Sequence, residues 1–394
     1  MLIGLTGKPS GGKSTIFSAL TLINIPISPR PFTTIDPNKG TAFIRSKCPC
    51  SEFGIKCNPK NSKCVNGERL IPINVVDLAG LVPGAHEGKG LGNKFLDDVR
   101  TADALIQIVD VSGKTDAEGN PCEFYDPADE IIFLENEIVY WIIGIIKRAY
   151  PKIKGKNIHS FSEILSGLKV TEDSLRNIFS KFALNTERME LNDSDIEKIS
   201  RDLRERCMPI IIAANKIDIK GAKENFEKLK FKFPERTIIP TYADGELALR
   251  KAEKNGLIEY DIGANDFKME NENKMKNEKI NEKQKEALEG IRKVMKEFGG
   301  TGVQTVLEKT VFDILNLIIV YPVSDESKYT DNFGNVLPDA LLVKKDTTVI
   351  EFAGKIHTDL AKNFVTAIDA KTKMKLARDH VLKDGDIIRI VSGK

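Results

Sequence analysis

The chain has 394 residues with 59 Lys and Arg against 57 Asp and Glu and a hydrophobic fraction of 41%, enough for two or three domains with conventional cores. A formal charge of +2 excludes a globally basic surface, so any nucleic-acid contact must come from a local patch. The longest apolar runs, 131–134 and 138–146, are too short or too interrupted by charge to cross a bilayer, and Met1 leads directly into an apolar strand rather than a signal peptide, so no membrane is expected and the cytoplasm is the expected compartment.

Residues 2–5 read as a core strand, and Gly7, Gly12, Lys13 and Ser14 behind it fit the phosphate-loop pattern G-x-x-x-x-G-K-[ST]. Glycines let the backbone approach phosphate oxygens, so Lys8, Pro9, Ser10, Gly11, Gly12, Lys13, Ser14 and Thr15 are expected to wrap a nucleotide, with a helix over 13–22 adding its N-terminal dipole. Lys13 is expected to reach the β- and γ-phosphates and Ser14 to ligate Mg2+. Strand, loop and helix in that order separate this match from a chance one.

Cys48, Cys50, Cys57 and Cys64 crowd into one short polar segment. In a reducing compartment they are not expected to form disulfides, and four thiolates are enough for tetrahedral zinc. The C-x-C-x6-C-x6-C spacing is not the usual paired C-x-x-C, however, and the flanking Asn and Lys suit a plain surface insertion, so free thiols are the expectation. Cys122 and Cys207 read as packing residues.

Residues 71–76 read as a buried strand running into Asp77-Leu78-Ala79-Gly80, a D-x-x-G arrangement in which Asp77 holds the Mg2+ shell and the Gly80 N–H senses the γ-phosphate. Residues 104–111 form another core strand, but the next begins only near 209, so something sizeable is inserted. Within it 126–130 looks like a helix start, followed by Phe133, Ile138, Trp141, Ile142 and Ile145 at helical spacing, and 160–168, 171–182 and 192–206 read as further helices. A small helical subdomain with Trp141 in its core is expected there. The strand over 209–214 ends in Asn215-Lys216-Ile217-Asp218, the base-reading N-K-x-D, whose Asp218 accepts from guanine N1–H and the exocyclic amine. Adenine offers no such donor pair. Three ordered motifs, each leaving a predicted strand, point to a GTPase.

From 268 to 285 the chain is Lys, Glu and Asn with little to bury, which suits a solvated loop leading into a charged helix. A helix over 303–317 follows, then short strand-like pieces with turns at 332–335 and 383–386, a compact α+β ending. Near its end Lys371, Lys373 and Lys375 alternate with Thr372 and Met374. On a strand that alternation puts the three ammonium groups on one face, suited either to RNA phosphates or to guarding an exposed edge.

With these residues in hand the chain resembles, over almost its whole length, the Obg-related GTPases, and within them the archaeal members close to YchF. The carrying segments are Pro31-Phe32-Thr33-Thr34-Ile35-Asp36-Pro37-Asn38, similar to the family's first switch, and 77–85, similar to its second, which continues through Gly88-Lys89-Gly90-Leu91-Gly92-Asn93-Lys94-Phe95-Leu96. The resemblance implies that Thr34 closes on Mg2+ and the γ-phosphate, giving Lys13, Thr34 and Gly80 as the catalytic set and Ser14, Thr34 and Asp77 around the metal. Leu337-Pro338 and Ile356-His357-Thr358-Asp359-Leu360 resemble a TGS domain, a β-grasp module also found in threonyl-tRNA synthetase and the stringent-response enzymes.

The implied architecture is α/β: a P-loop GTPase domain with a mostly parallel, doubly wound sheet over 1–113 and 208–262, an inserted helical subdomain over 114–207, a charged linker and helices over 263–317, and a TGS-like β-grasp domain over 318–394. The implied function is a monomeric GTP/GDP switch that acts on the ribosome or a structured RNA. Its rivals are a GTP-gated metallochaperone using the cysteine segment and a nucleotide-binding adaptor with negligible turnover.

Departures from the family pattern carry their own expectations. Many YchF proteins have N-x-x-E and prefer ATP, whereas Asp218 favours GTP. Ser10 stands where potassium-stimulated relatives have Asn, and Leu81 where Ras-like enzymes have a water-orienting Gln, so unassisted hydrolysis should be slow. His86 reads as a solvated switch-loop residue. Tyr242 replaces a customary Ser in the third base-contact segment, so only the Ala243 backbone N–H is carried over toward guanine.

Overall fold

The computed structural model describes residues 1–22, 38–78, 98–269 and 281–393. Among the described residues, those numbered 1–22, 38–40 and 75–306 form one compact unit and those numbered 41–74 and 307–393 a second. No helix among them is long and apolar enough to cross a membrane.

The chain begins with β1 (Leu2–Thr6) and passes through the 7–12 loop into α1 (Lys13–Thr21). Then come β2 (Lys39–Lys47), the single-turn α2 (Pro49–Glu52), β3 (Lys63–Val65), β4 (Glu68–Asp77) and β5 (Ala104–Asp110). Four helices follow: α3 (Pro127–Ile153), α4 (Ile158–Leu165), α5 (Glu172–Lys181) and α6 (Asp193–Cys207). After them β6 (Ile210–Asn215), α7 (Ala222–Lys232), β7 (Ile238–Pro240) and α8 (Ala243–Lys254) alternate.

One sheet takes its strands in the order β2-β4-β1-β5-β6-β7, with β3 beside β4. The β1/β5, β5/β6 and β6/β7 pairs are parallel, with Leu5 opposite Ile106 and Val109 opposite Ala214. Covered on both faces, β5 and β6 can be apolar almost throughout, which is why they read as continuous runs rather than alternating ones. The parallel strands deliver their C-terminal ends to one edge, where an α/β sheet binds ligands.

The helices between 126 and 207 form where the spacing put them. Their starts are set by side-chain caps: Asp126 accepts from the Ala128 N–H, Thr171 from Ser174, and Asn192 forms a reciprocal capping box with Asp195. Leu134, Ile138, Ile142 and Ile146 of α3 pack with Phe161, Phe179 and Ile199 in one core, and Trp141 lies half-buried against it.

Of the charged stretch, residues 270–280 lie outside the described residues, and the charged helix expected after it is present. β8 (Ile258–Glu259) pairs with β9 (Lys268–Met269), and α9 (Glu282–Phe298) buries Leu288, Ile291 and Met295 against Leu249, Leu257, Tyr260 and Phe267. A narrow apolar stripe suffices to dock a helix whose other faces are Lys and Glu. α10 (Val303–Lys309) continues as a π-turn to Ile314, ending before the expected 317.

In the second unit β10 (Leu317–Val323), β11 (Leu341–Lys344), α11 (Val349–Ile356), α12 (Thr358–Lys362), β12 (Phe364–Asp369), β13 (Lys375–Leu376) and β14 (Asp386–Ser392) follow in turn. Their five-stranded sheet has the order β11-β10-β14-β12-β13, with β10 and β14 parallel at its heart. Phe352 and Val349 of α11 pack on Val320, Val343 and Ile388. Turns occur where expected, with Gly334 and Gly385 at positive φ.

The lysine alternation does not lie on a strand, which corrects the basic-stripe expectation. Asp369 accepts from the Lys371 N–H at 2.8 Å and from the Thr372 hydroxyl at 2.7 Å, and Lys373 takes a positive φ, so 370–373 is a turn and only Lys375 enters β13. Lys371 pairs with Glu52 at 3.1 Å and the Lys373 ammonium lies 4.9 Å from the Tyr329 ring centre, so these two do not follow the strand alternation. The cysteine segment is likewise not a plain surface insertion, since Cys48 and Cys50 are buried and β3 extends the sheet.

Candidate functional site

The 7–12 loop leaves β1 with Gly7 at φ 155°, Ser10 at φ 61° and Gly12 at φ 97°. A Cβ on Gly7 would stand 2.4 Å from the Ile108 carbonyl oxygen, and one on Gly12 2.1 Å from Asn215 Nδ2. Both positions therefore need glycine for space as well as for backbone conformation. Gly12 caps α1, leaving the first-turn N–H groups beside the loop. Ser10 and Ser14 are exposed there and Thr15 is half-buried. Pro9 contributes no N–H, and the Lys8 side chain turns away from the loop into the protein.

Asp77 ends β4 facing α1. Its carboxylate pairs with the Lys13 ammonium through one oxygen and accepts from the Ser14 hydroxyl at 3.0 Å through the other. Two motifs 64 residues apart in sequence thus meet in one polar cluster. Thr34, Gly80, Leu81 and His86, with 31–37 and the 88–96 continuation, lie outside the described residues.

The base-reading motif is tied to the phosphate loop. Asn215, buried at the end of β6, donates through Nδ2 to the Gly11 carbonyl at 2.9 Å, and its Oδ1 accepts from the Ala243 N–H at 3.1 Å. The Ala243 N–H, expected to face guanine, donates to Asn215 here. Lys216, at φ 64°, sends its ammonium 2.7 Å from Asp110.

A model described as a 50S ribosome-binding GTPase matches residues 2–137, one described as an Obg-like GTPase YGR210-like, G4 motif-containing domain matches residues 213–325, and a TGS domain model matches residues 333–392. An uncharacterized GTP-binding protein of Methanocaldococcus jannaschii is 49% identical over 397 residues, 99% of each chain. The chain belongs to the Obg-like GTPase family, on its YchF-like branch. The crystal structure of a GTP-binding protein from Pyrococcus horikoshii OT3 matches it with a TM-score of 0.80 at 38% identity, over 100% of both chains. A ribosome-binding ATPase YchF of Buchnera aphidicola is 25% identical over 414 residues, 98% of each chain.

As an Obg-like GTPase the chain is a nucleotide-hydrolysing enzyme with a C-terminal TGS domain. Beneath its phosphate loop lies a charged network that the motifs did not announce. Asp110, fully buried, accepts from Lys216, from the Ser112 hydroxyl and backbone N–H, and from Thr115. Burial pulls its carboxyl upward, but those hydrogen bonds outweigh it and hold the group below the usual Asp range. Glu130, in the first turn of α3, pairs with Lys8 at 2.6 Å and accepts from the Asp110 N–H at 3.3 Å. Burial pushes the Glu130 carboxyl up to about 7 against the pull of Lys8. The signal available in sequence was a carboxylate at the end of a mostly apolar strand and another just inside a helix start.

Asp218 of the Obg-like GTPase reaches solvent, unlike Asn215. Partial desolvation and then the neighbouring Asp244 raise its carboxyl above the usual Asp range, against its own backbone hydrogen bond and Lys216. Tyr242 stands beside both carboxylates at the N-terminal end of α8.

Proposed function

We propose that this Obg-like GTPase is a GTP-selective, slowly turning-over switch, monomeric and cytoplasmic, that acts on the ribosome or a structured RNA. The observation that carries the reading is the single site formed by Lys13, Ser14 and Asp77 on one side and Asn215 on the other, joined through the Gly11 carbonyl at 2.9 Å. The backbone of Lys8 through Thr15 receives the phosphates, and Lys13 moves from Asp77 to the β- and γ-phosphates when they arrive. The 3.0 Å separation of Ser14 Oγ and Asp77 Oδ2 suits adjacent oxygens around an octahedral Mg2+, whose bonds of about 2.1 Å set neighbouring ligands about 3.0 Å apart. Thr34 and the Gly80 N–H complete the triphosphate state, and Asp218 accepts from guanine while Asn215 holds the base segment to the loop and Lys216 holds it to Asp110.

Leu81 carries no group able to orient a water, so unassisted turnover falls on the order of 10⁻⁴ to 10⁻² per second, with little response to potassium because Ser10 replaces Asn. The ribosomal destination is supported by the 50S ribosome-binding GTPase model over 2–137 and by relatives named ribosome-binding ATPases. Co-sedimentation with ribosomal particles in a GTP-analogue state and in the GDP state tests it. Retention in one state is expected, and the absence of ribosomal RNA and protein in both would overturn it.

A further inference from the structure

Cys48, Cys50, Cys57 and Cys64 come from four different backbone settings, yet their sulfurs all lie within 4.8 Å of one another. Cys48 caps α2, Cys50 sits within it, Cys57 follows in the loop and Cys64 is central in β3. Cys48 Sγ is 3.9 Å from Cys57 Sγ, and Cys50 Sγ is 3.7 Å from Cys64 Sγ. Bonds of about 2.3 Å to one zinc ion set the sulfurs of a regular tetrahedron about 3.8 Å apart. All four are free cysteines, and the separations far exceed a disulfide bond of about 2.0 Å.

A second feature faces the same cluster. Arg69 of β4 is opposite Cys64 in the antiparallel β3/β4 register, so the two side chains leave the same face of the ladder. Its guanidinium is fully buried; it donates to the Ser62 hydroxyl and the Leu337 carbonyl, its Nε–H has no hydrogen-bond partner, and no carboxylate pairs with it among the described residues. A buried cation without a counter-ion is costly. Four thiolates around Zn2+ carry a net charge of −2, which supplies that counter-ion.

We propose that these four cysteines bind one structural zinc ion, with Arg69 as a charge partner that is not a ligand. All four positions are filled by protein sulfur, and two of the ligands are buried, the closed form that zinc takes in structural sites. The elements it joins are a four-residue helix and a three-residue strand, too short to hold themselves. Between the ligands, the Asn58 N–H donates to the Val336 carbonyl at 3.1 Å, the Lys60 N–H to the Pro338 carbonyl at 2.7 Å, and the Asn61 amide bonds Ala340. The ion therefore fixes the 48–64 knuckle against 336–340 of the same unit. Binding releases the thiol protons to solvent as the thiolates form.

The test is elemental analysis of the full chain purified without chelator, followed by titration of the wild type with an organomercurial while released zinc is followed with a chromogenic chelator. One zinc per chain is expected, freed as the four clustered thiols react, and cobalt substituted for it should show the intense visible absorption of a tetrahedral tetrathiolate. Cys57→Ser with Cys64→Ser should lose the metal, whereas Cys122→Ser with Cys207→Ser should keep it. Less than a tenth of an equivalent of zinc, iron in its place, or zinc retained by the Cys57→Ser, Cys64→Ser chain would each overturn the assignment. The wild-type titration decides even where that variant folds poorly.

Discussion

Glu130 and Lys8 meet at 2.6 Å with side chains at most 5% exposed, under the loop that receives phosphate. A carboxyl raised from 4.5 to about 7 binds its proton more tightly in the folded chain than in the unfolded one, so its contribution to stability is full below about 4.5 and is lost as pH rises to about 7. The span corresponds to a loss on the order of 3 kcal/mol. Glu130→Gln removes the titration, so its thermal midpoint should fall less than the wild type's between pH 5 and 7.5; parallel curves would sink this reading. Neither residue was legible as a pair, because sequence spacing says nothing of which strand end meets which helix start. Asp218 stands in the N-K-x-D motif, on which its proposed role rests. A carboxylate aimed at guanine donors rejects bases that lack them by roughly 10⁴ to 10⁵. Asp218→Asn should accordingly turn the preference toward xanthosine triphosphate, which offers a carbonyl where guanine has its amine, as read by competition binding. Unchanged GTP preference in that variant would remove Asp218 from base recognition.

At the level of elements, the loop between β1 and α1 is held by conformation and space together. Alanine at Gly12 would keep a φ of 97° that costs about 1–3 kcal/mol for a side chain, and its Cβ would press on Asn215 Nδ2. The Asn215–Gly11 bond should yield, and Gly12→Ala is expected to weaken GTP binding at least tenfold while the far-ultraviolet circular dichroism is retained. Wild-type affinity would mean that the loop tolerates the shift. Helix starts at Asp126, Thr171 and Asn192 could be read ahead because a cap is a local interaction between neighbours in sequence. The lysine alternation misled because Asp369 offers the backbone a turn, and alternation marks a strand only where the chain is extended. The charged helix expected after residue 285 is α9, whose Leu288, Ile291 and Met295 recur at helical spacing inside a run of Lys and Glu.

Among the described residues, the side chains proposed for nucleotide and those proposed for zinc belong to different compact units, each with its own core. Lys13, Ser14, Asp77, Asn215 and Asp218 are in the first, and all four cysteines are in the second. The cysteine motif was visible in sequence, but its convergence was not, because it depends on the turn at Asn66 and Gly67 that folds β3 onto β4 and on the Cys48 N–H bond to the Gly67 carbonyl at 2.8 Å. Ligand binding stabilises whatever part of a chain forms the site, and local opening spreads through the elements that the site holds together. Stripping the metal should therefore speed amide hydrogen exchange over 48–65 and 336–340, where short elements lose their tie. GTP affinity should change less than about threefold, under 1 kcal/mol, because Lys13, Ser14, Asp77, Asn215 and Asp218 all lie in the other unit. The measurement is hydrogen exchange followed by mass spectrometry, with GTP titration on the same metal-free sample. A tenfold loss of GTP affinity on metal removal would show that the two sites are coupled and would revive a metal-handling switch. Exchange left unchanged at 336–340 would show that the knuckle holds that segment without the ion.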